Sequence, residues 1–142
     1  MRHRNFGKQL GRNHHQRQAL LKSLMKSLFK HSSIKTTKAK AAAVSPLIVK
    51  ICRAAKTNDL ISKRFIFKYF QDRHLVNNLI VAFNKAFVDT DSNFIKITPF
   101  KIRQGDSSLI VRLSLIKKLD YSEFEKKEEP KKIKKEITKN EK

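Results

Sequence analysis

The chain has 142 residues, 33 Lys or Arg against 12 Asp or Glu, and a formal net charge of +21, a length that allows one compact domain with a modest core plus tails. A single cysteine, Cys52, excludes an intramolecular disulfide framework and fits a reducing compartment. No apolar run is long enough to cross a bilayer, and Met1–Arg12 lacks the apolar stretch of a secretory signal. The charge is unevenly placed. Residues 1–58 hold fourteen Lys or Arg and four His but no acid, and Asp59 is the first carboxylate. From Asp120 onward eight Lys meet seven acids, so nearly all the positive charge sits on residues 1–119. A surface of one sign repels itself unless an acidic partner neutralises it, and nucleic acid is the leading polyanion.

Residues 1–12 carry two of the three glycines, Gly7 and Gly11, and, apart from Met1, only Phe6 and Leu10 as large apolar side chains. They cannot build a core, which predicts an extended basic arm. Asn13 with Gln16 three residues on is a helix-start signal, and Leu20, Leu21, Leu24, Met25 and Leu28 recur at helical spacing, with Lys22, Lys26 and Lys30 on the opposite face. After a short break at 32–37, in which Ile34 offers a single strand-like turn, Thr37 caps a second predicted helix through Lys56. Its expected stripe is Ala43, Leu47, Ile51 and Ala54, with Pro46 bending one continuous helix. Asn58 or Asp59 opens a third helix on Ile61, Phe65 and Tyr69. Asp72 opens a fourth on Leu75, Val76, Leu79, Ile80, Phe83 and Phe87.

Beyond the polar turn 89–93 the apolar period changes to two. Ile95 and Ile97, then Phe100 and Ile102, are expected to pair with Leu109, Val111, Leu113 and Leu115 across the turn 104–107, with Pro99 favouring an edge strand or a bulge. The expected fold is α+β: about four helices packed on a small antiparallel sheet. The domain plan is a basic arm at 1–12, one domain at 13–119 and a charged, disordered Lys/Glu tail at 120–142.

Catalysis finds little support. None of the glycines lies in a phosphate-cradling pattern, and Asp59, Asp72, Asp89, Asp91 and Asp106 all fall at predicted caps or turns. No histidine has Cys or Glu partners at metal-ligand spacing, so no metal and no cofactor are expected. Cys52 and the phenylalanines Phe65, Phe67 and Phe70 are read as core. The arginines are more telling. The chain uses 24 Lys against 9 Arg, yet Arg2, Arg4, Arg12 and Arg17 crowd the first seventeen residues beside Lys8 alone. Arginine supplies a planar fork for bidentate phosphate contacts and a surface that stacks on bases.

Several segments carry a resemblance. Met1-Arg2-His3-Arg4, Gly7-Lys8-Gln9-Leu10-Gly11-Arg12, His15-Gln16-Arg17-Gln18-Ala19-Leu20-Leu21, Ser27-Leu28 and His31 resemble the opening of the bacterial large ribosomal subunit protein seventeen family. The likeness continues through Ile34-Lys35-Thr36-Thr37, Ala39-Lys40-Ala41, Pro46, Ala55-Lys56, Asp59-Leu60, Arg103 and Gly105-Asp106. It spans roughly residues 1–116 in order and spacing, and the first forty residues are its specific part. The chain departs from the family at Ser92–Ile97, where Lys96 replaces a customary Arg, and at Ala42–Ser45. The resemblance implies a structural, non-catalytic protein that binds ribosomal RNA near the polypeptide exit region, beside neighbouring large-subunit proteins.

The expected function is therefore that of a ribosome-bound, cytoplasmic constituent of the large subunit whose partners are ribosomal RNA and neighbouring ribosomal proteins, with no membrane and no small-molecule substrate. The expected RNA contacts are Arg2, His3, Arg4, Lys8, Arg12, Asn13, His14 and Arg17, then Thr36, Thr37, Lys38 and Lys40, with Lys96, Lys101 and Arg103 on the hairpin. Gly7 and Gly11 let the backbone turn or approach phosphates closely. The alternative is a sequence-tolerant architectural DNA-binding protein, which requires a symmetric dimer face or a minor-groove wedge.

Overall fold

A computed structural model describes residues 7–121. In chain order these form α1 (His14–His31), β1 (Ser33–Thr37), α2 (Lys38–Thr57), α3 (Leu60–Phe70), α4 (Arg73–Ala86), β2 (Ile95–Ile102) and β3 (Leu109–Leu115). The strands make one antiparallel sheet in the order β1-β3-β2. The fold is thus α+β with four helices, as the period changes along the sequence lead one to expect. α1 and α2 lie against the sheet, and α3 and α4 pack on α2. Residues 1–6 of the expected arm and residues 122–142 of the expected tail lie outside the described residues.

Capping chemistry sets the helix boundaries. The Asp59 carboxylate accepts from Leu60 N at 2.7 Å and opens α3, and Asp72 accepts from Leu75 N at 3.2 Å and opens α4. α1, α2 and α3 close on Ser32, Asn58 and Gln71, with left-handed φ values of 59°, 52° and 55°. α2 runs unbroken through Pro46. The carbonyl of Ala42, which loses its partner there, belongs to an exposed residue where water can serve it.

Three local expectations need correction. The single strand-like turn at Ile34 is a full five-residue strand, because β3 supplies what the segment lacks alone. Ile34 pairs with Leu113 and Thr36 with Val111. The buried stripe of α2 is Ala41, Val44, Ile48, Ile51, Cys52 and Ala55, rotated from the expected one, while Leu47 and Ala54 sit at its margin. α3 likewise buries Ile66 and Phe70 and leaves Ile61 74% exposed, with Phe65 and Tyr69 half-buried. One residue turns a helix by about 100°, so two adjacent apolar stripes are equally good by periodicity and the neighbouring elements choose between them.

The core joins the helices to the sheet through phenylalanines. Phe83 stacks on Phe87 with ring centroids 4.4 Å apart, and Phe94 meets them at 5.4 and 5.7 Å. Phe87 and Phe94 flank the turn 89–93, so this cluster fixes where α4 hands the chain to β2. Lys56 ties the same turn to α2 by an ion pair with Asp91 and a 3.1 Å bond to Thr90 O. Packing continues past β3. Leu119 is buried, its N–H donates to Ser32 Oγ at 3.3 Å, and half-buried Tyr121 lies against the core, where burial pushes its phenol up to about 12.

Truncating Phe83 removes the ring that touches both aromatic partners. Phe83→Ala is expected to lower stability by about 3–5 kcal/mol, whereas Ile61→Ala should change it by less than about 0.5 kcal/mol. Urea unfolding followed by far-UV circular dichroism distinguishes the two.

Candidate nucleic-acid interface

The expected contact residues lie on several elements, and two groups stand out, one before α1 and one on the sheet. The first group lies at the N-terminus of α1, where a tight turn precedes the helix. Leu10 and Gly11 take left-handed φ values of 57° and 61°, and Arg12 N donates to Gln9 O at 3.2 Å. The Arg12 guanidinium donates to Leu10 O at 2.9 Å, and that of Arg17 to Arg12 O at 3.1 Å and Gln9 O at 3.5 Å. Arg17, read from sequence as a contact for RNA, is half-buried and braces this turn with one edge of its fork. Asn13 N donates to Gln16 Oε1 at 3.4 Å, and His14 shares a 3.3 Å bond with Gln18. Gly7, Lys8, Gly11, Arg12, Asn13 and His14 are all exposed, and Arg2, His3 and Arg4 lie outside the described residues.

The helix caps divide by charge. α3 and α4 begin at aspartates, whereas α1 and α2 begin at the neutral residues Asn13 and Thr37, with no acid in their first turns. Among the described residues the positive ends of α1 and α2 therefore have no acidic cap and add to the adjacent cations, an arrangement that suits phosphate. Lys38 and Lys40 sit in the first turn of α2.

The second group is organised by strand register. β3 buries Val111, Leu113 and Leu115 against the helices, so Ile110, Arg112 and Ser114 face the other way. Antiparallel pairing then builds three rows across that open face: Ser33, Ser114 and Lys96; Lys35, Arg112 and Thr98; Thr37, Ile110 and Lys101. Thr36 falls on the core side, opposite Val111, and is half-buried. The register shift between Pro99 and Lys101 puts Phe100 and Lys101 together opposite Ile110. The bulge at Pro99 is as expected, and it lies on an edge strand. Phe100, expected in one row with Ile102, is the extra residue of this bulge, and its ring is 43% exposed on the open face. There the Lys35 ammonium lies 4.1 Å from the ring centroid and the Arg112 guanidinium carbon 5.5 Å.

Structure thus joins Lys96, Lys101 and Thr37 to Lys35, Arg112 and Phe100, which the sequence reading did not single out as contacts. Their signal was the period of two itself: if Ile34 and Val111 point inward, Lys35 and Arg112 point outward. Arg103 stands apart at the hairpin turn. Its Nε donates to Asp106 Oδ1 at 2.9 Å and its Nη2 to Oδ2, while Ser108 N also donates to Oδ1 at 3.3 Å. These bonds hold the Asp106 carboxyl well below its ordinary value and raise the Arg103 guanidinium.

Elsewhere, Phe67, expected in the core, is 38% exposed in an open groove with Lys63, Arg64 and Arg73. Burial pushes the Cys52 thiol up to about 12, which keeps it a neutral core group. Among the described residues no group of three His, Cys, Asp or Glu is placed to hold a metal ion, and no helix is long and apolar enough to cross a membrane.

The family model described as ribosomal protein L17 matches residues 20–116, from the middle of α1 to the end of the sheet. The chain belongs to the ribosomal protein L17 family. The large ribosomal subunit protein bL17 of Desulforapulum autotrophicum is 35% identical over 116 residues, covering 82% of this chain and 97% of that protein. Its counterpart in Thermodesulfovibrio yellowstonii is 36% identical over 89% of this chain and 92% of its own length. That of Dictyoglomus turgidum is 34% identical over 76% and 93%. The resemblance read from the opening residues and the hairpin is therefore correct.

A depressed carboxyl contributes stability that is present above its unfolded pKa and lost as pH falls through its folded one. The Arg103–Asp106 turn is accordingly expected to survive acidification through pH ~4, the ordinary carboxylate range, and to open only well below it. A carbon-detected NMR titration of the Asp106 carboxyl checks this, and Asp106→Asn should speed exchange of the Ser108 amide at neutral pH.

Proposed function

We propose that this protein is a structural, non-catalytic constituent of the large ribosomal subunit that binds ribosomal RNA near the polypeptide exit region. Its partners there are ribosomal RNA and neighbouring large-subunit proteins, and its place is the ribosome in the cytoplasm. The observation that carries the reading is the pairing of an acid-free stretch from residue 1 to 58 with neutral caps on the two helices it contains. Nothing inside that stretch neutralises its cations, and a phosphate backbone does so by releasing counterions.

In this reading the turn at 9–12 and the N-terminus of α1 present Lys8, Arg12, Asn13 and His14, joined by Arg2, His3 and Arg4, while the start of α2 presents Lys38 and Lys40. The open sheet face adds Lys96 and Lys101. Arg17 contributes by holding the turn, and Arg103 reaches RNA with the part of its fork that Asp106 leaves. The names of the relatives favour a ribosomal site over an architectural DNA-binding one.

Two measurements test this. With on the order of ten phosphate contacts, affinity for a large-subunit RNA fragment should fall by ~10³ or more between low and physiological salt. A shallow slope in filter binding would count against it. Replacing Arg2, Arg4, Arg12 and Arg17 together by Lys keeps the charge but removes bidentate geometry and the Arg17 brace, and is expected to weaken binding and blur RNA footprints. Equal affinity and footprints for that variant would reduce the arm to a diffuse counterion.

A further inference from the structure

The three strands contain four cations, Lys35, Lys96, Lys101 and Arg112, and no carboxylate. The register, with the bulge bringing Lys101 opposite Ile110, gathers all four on the open face around the exposed Phe100. A solvent-facing aromatic alone signifies little, since single exposed apolar residues are common. Two cations converging on its ring do more, because they mark the ring's π-face as the accessible one and bring charge to its rim. The other polar groups of the face are not arranged to read a particular base. Thr98 Oγ1 is committed to Arg112 O at 3.4 Å, and Ser33, Ser114 and Thr37 lie in different rows.

We infer that this face is a single-stranded RNA site, in which one unpaired base stacks on Phe100 and the flanking phosphates lie along Lys35, Arg112, Lys96 and Lys101. The site rests on the RNA-binding reading above and adds to it an element with a different specificity. A flat sheet cannot enter the deep, narrow major groove of an RNA helix, but it can receive a base splayed from a loop or bulge. When the base arrives, the Lys35 ammonium leaves the ring and takes up a neighbouring phosphate, so the exchange conserves favourable contact for the cation. With stacking as the main source of binding, the identity of the base matters little.

The test uses the full chain and a uridine hexanucleotide carrying 5-iodouridine. Irradiation is expected to cross-link the probe to Phe100, located by mass spectrometry. Phe100→Leu should bind the hexanucleotide about 5- to 100-fold more weakly with an unchanged salt slope, and Phe100→Tyr should restore affinity. Lys96→Gln and Lys101→Gln should each lower the salt slope by about one. Circular dichroism confirms that each variant is folded. If Phe100→Leu binds the hexanucleotide as the parent does, or loses a duplex of equal length to the same degree, the stacking site is overturned. Salt-sensitive binding of the parent to ribosomal RNA would then leave the broader reading standing. Failure of the parent to bind any RNA would remove both.

Discussion

Repulsion among the cations of residues 1–58 is the constraint on which the remaining structure depends. A chain with 33 basic side chains against 12 acidic ones must hold itself together without ion pairing as a general resource. It does so with an interior that contains no polar or charged side chain among the described residues. The few carboxylates of the folded part act locally. Asp59 and Asp72 start helices, Asp91 fixes a loop to α2, and Asp106 closes the hairpin turn. All of them come after residue 58, and Asp91 pairs with one cation of the acid-free half, Lys56.

Cations are positioned by two different means. At the start of α1 guanidinium groups hold backbone carbonyls, so that the side chains shaping the turn are themselves part of the charge. On the sheet, hydrogen-bonded register does the work. β3 is paired on both sides and buries one face, so each outward residue has little freedom of placement. The first arrangement is local in sequence and tolerates movement of the turn as a unit. The second depends on three strands from distant parts of the chain.

Much of this was legible in the sequence. The four helices, the aspartate caps of α3 and α4 and the hairpin with its irregularity at Pro99 follow from spacing and turn chemistry, and the opening residues point to the family. What escaped was whatever one segment could not decide alone. β1 has one large apolar residue, Ile34, and becomes a strand only because β3 lies beside it. In α3, Ile61-Phe65-Tyr69 and Ile66-Phe70 are both apolar rows, and contact with α2 selects the second. Phe100 was expected in one apolar row with Ile102, but the register shift falls between Pro99 and Lys101, so Phe100 is the extra residue of the bulge and Ile102 alone returns opposite Leu109. Arg17 and Arg103 were legible as cations, but their bonds to backbone carbonyls and to Asp106 reflect local geometry that charge counting does not contain.

The sheet order imposes a sequence of events on biosynthesis. Ser33 pairs with Ser114, about eighty residues later, so β1 has no partner until nearly all of the described chain has been made. Until then α1 and α2 lack the cover that Leu113 and Leu115 provide, and β1 is an unpaired edge with Lys35 at its centre. The nascent N-terminal half must therefore stay soluble while incomplete, and its acid-free charge, which burdens the finished fold, keeps neighbouring unfinished chains apart during that interval.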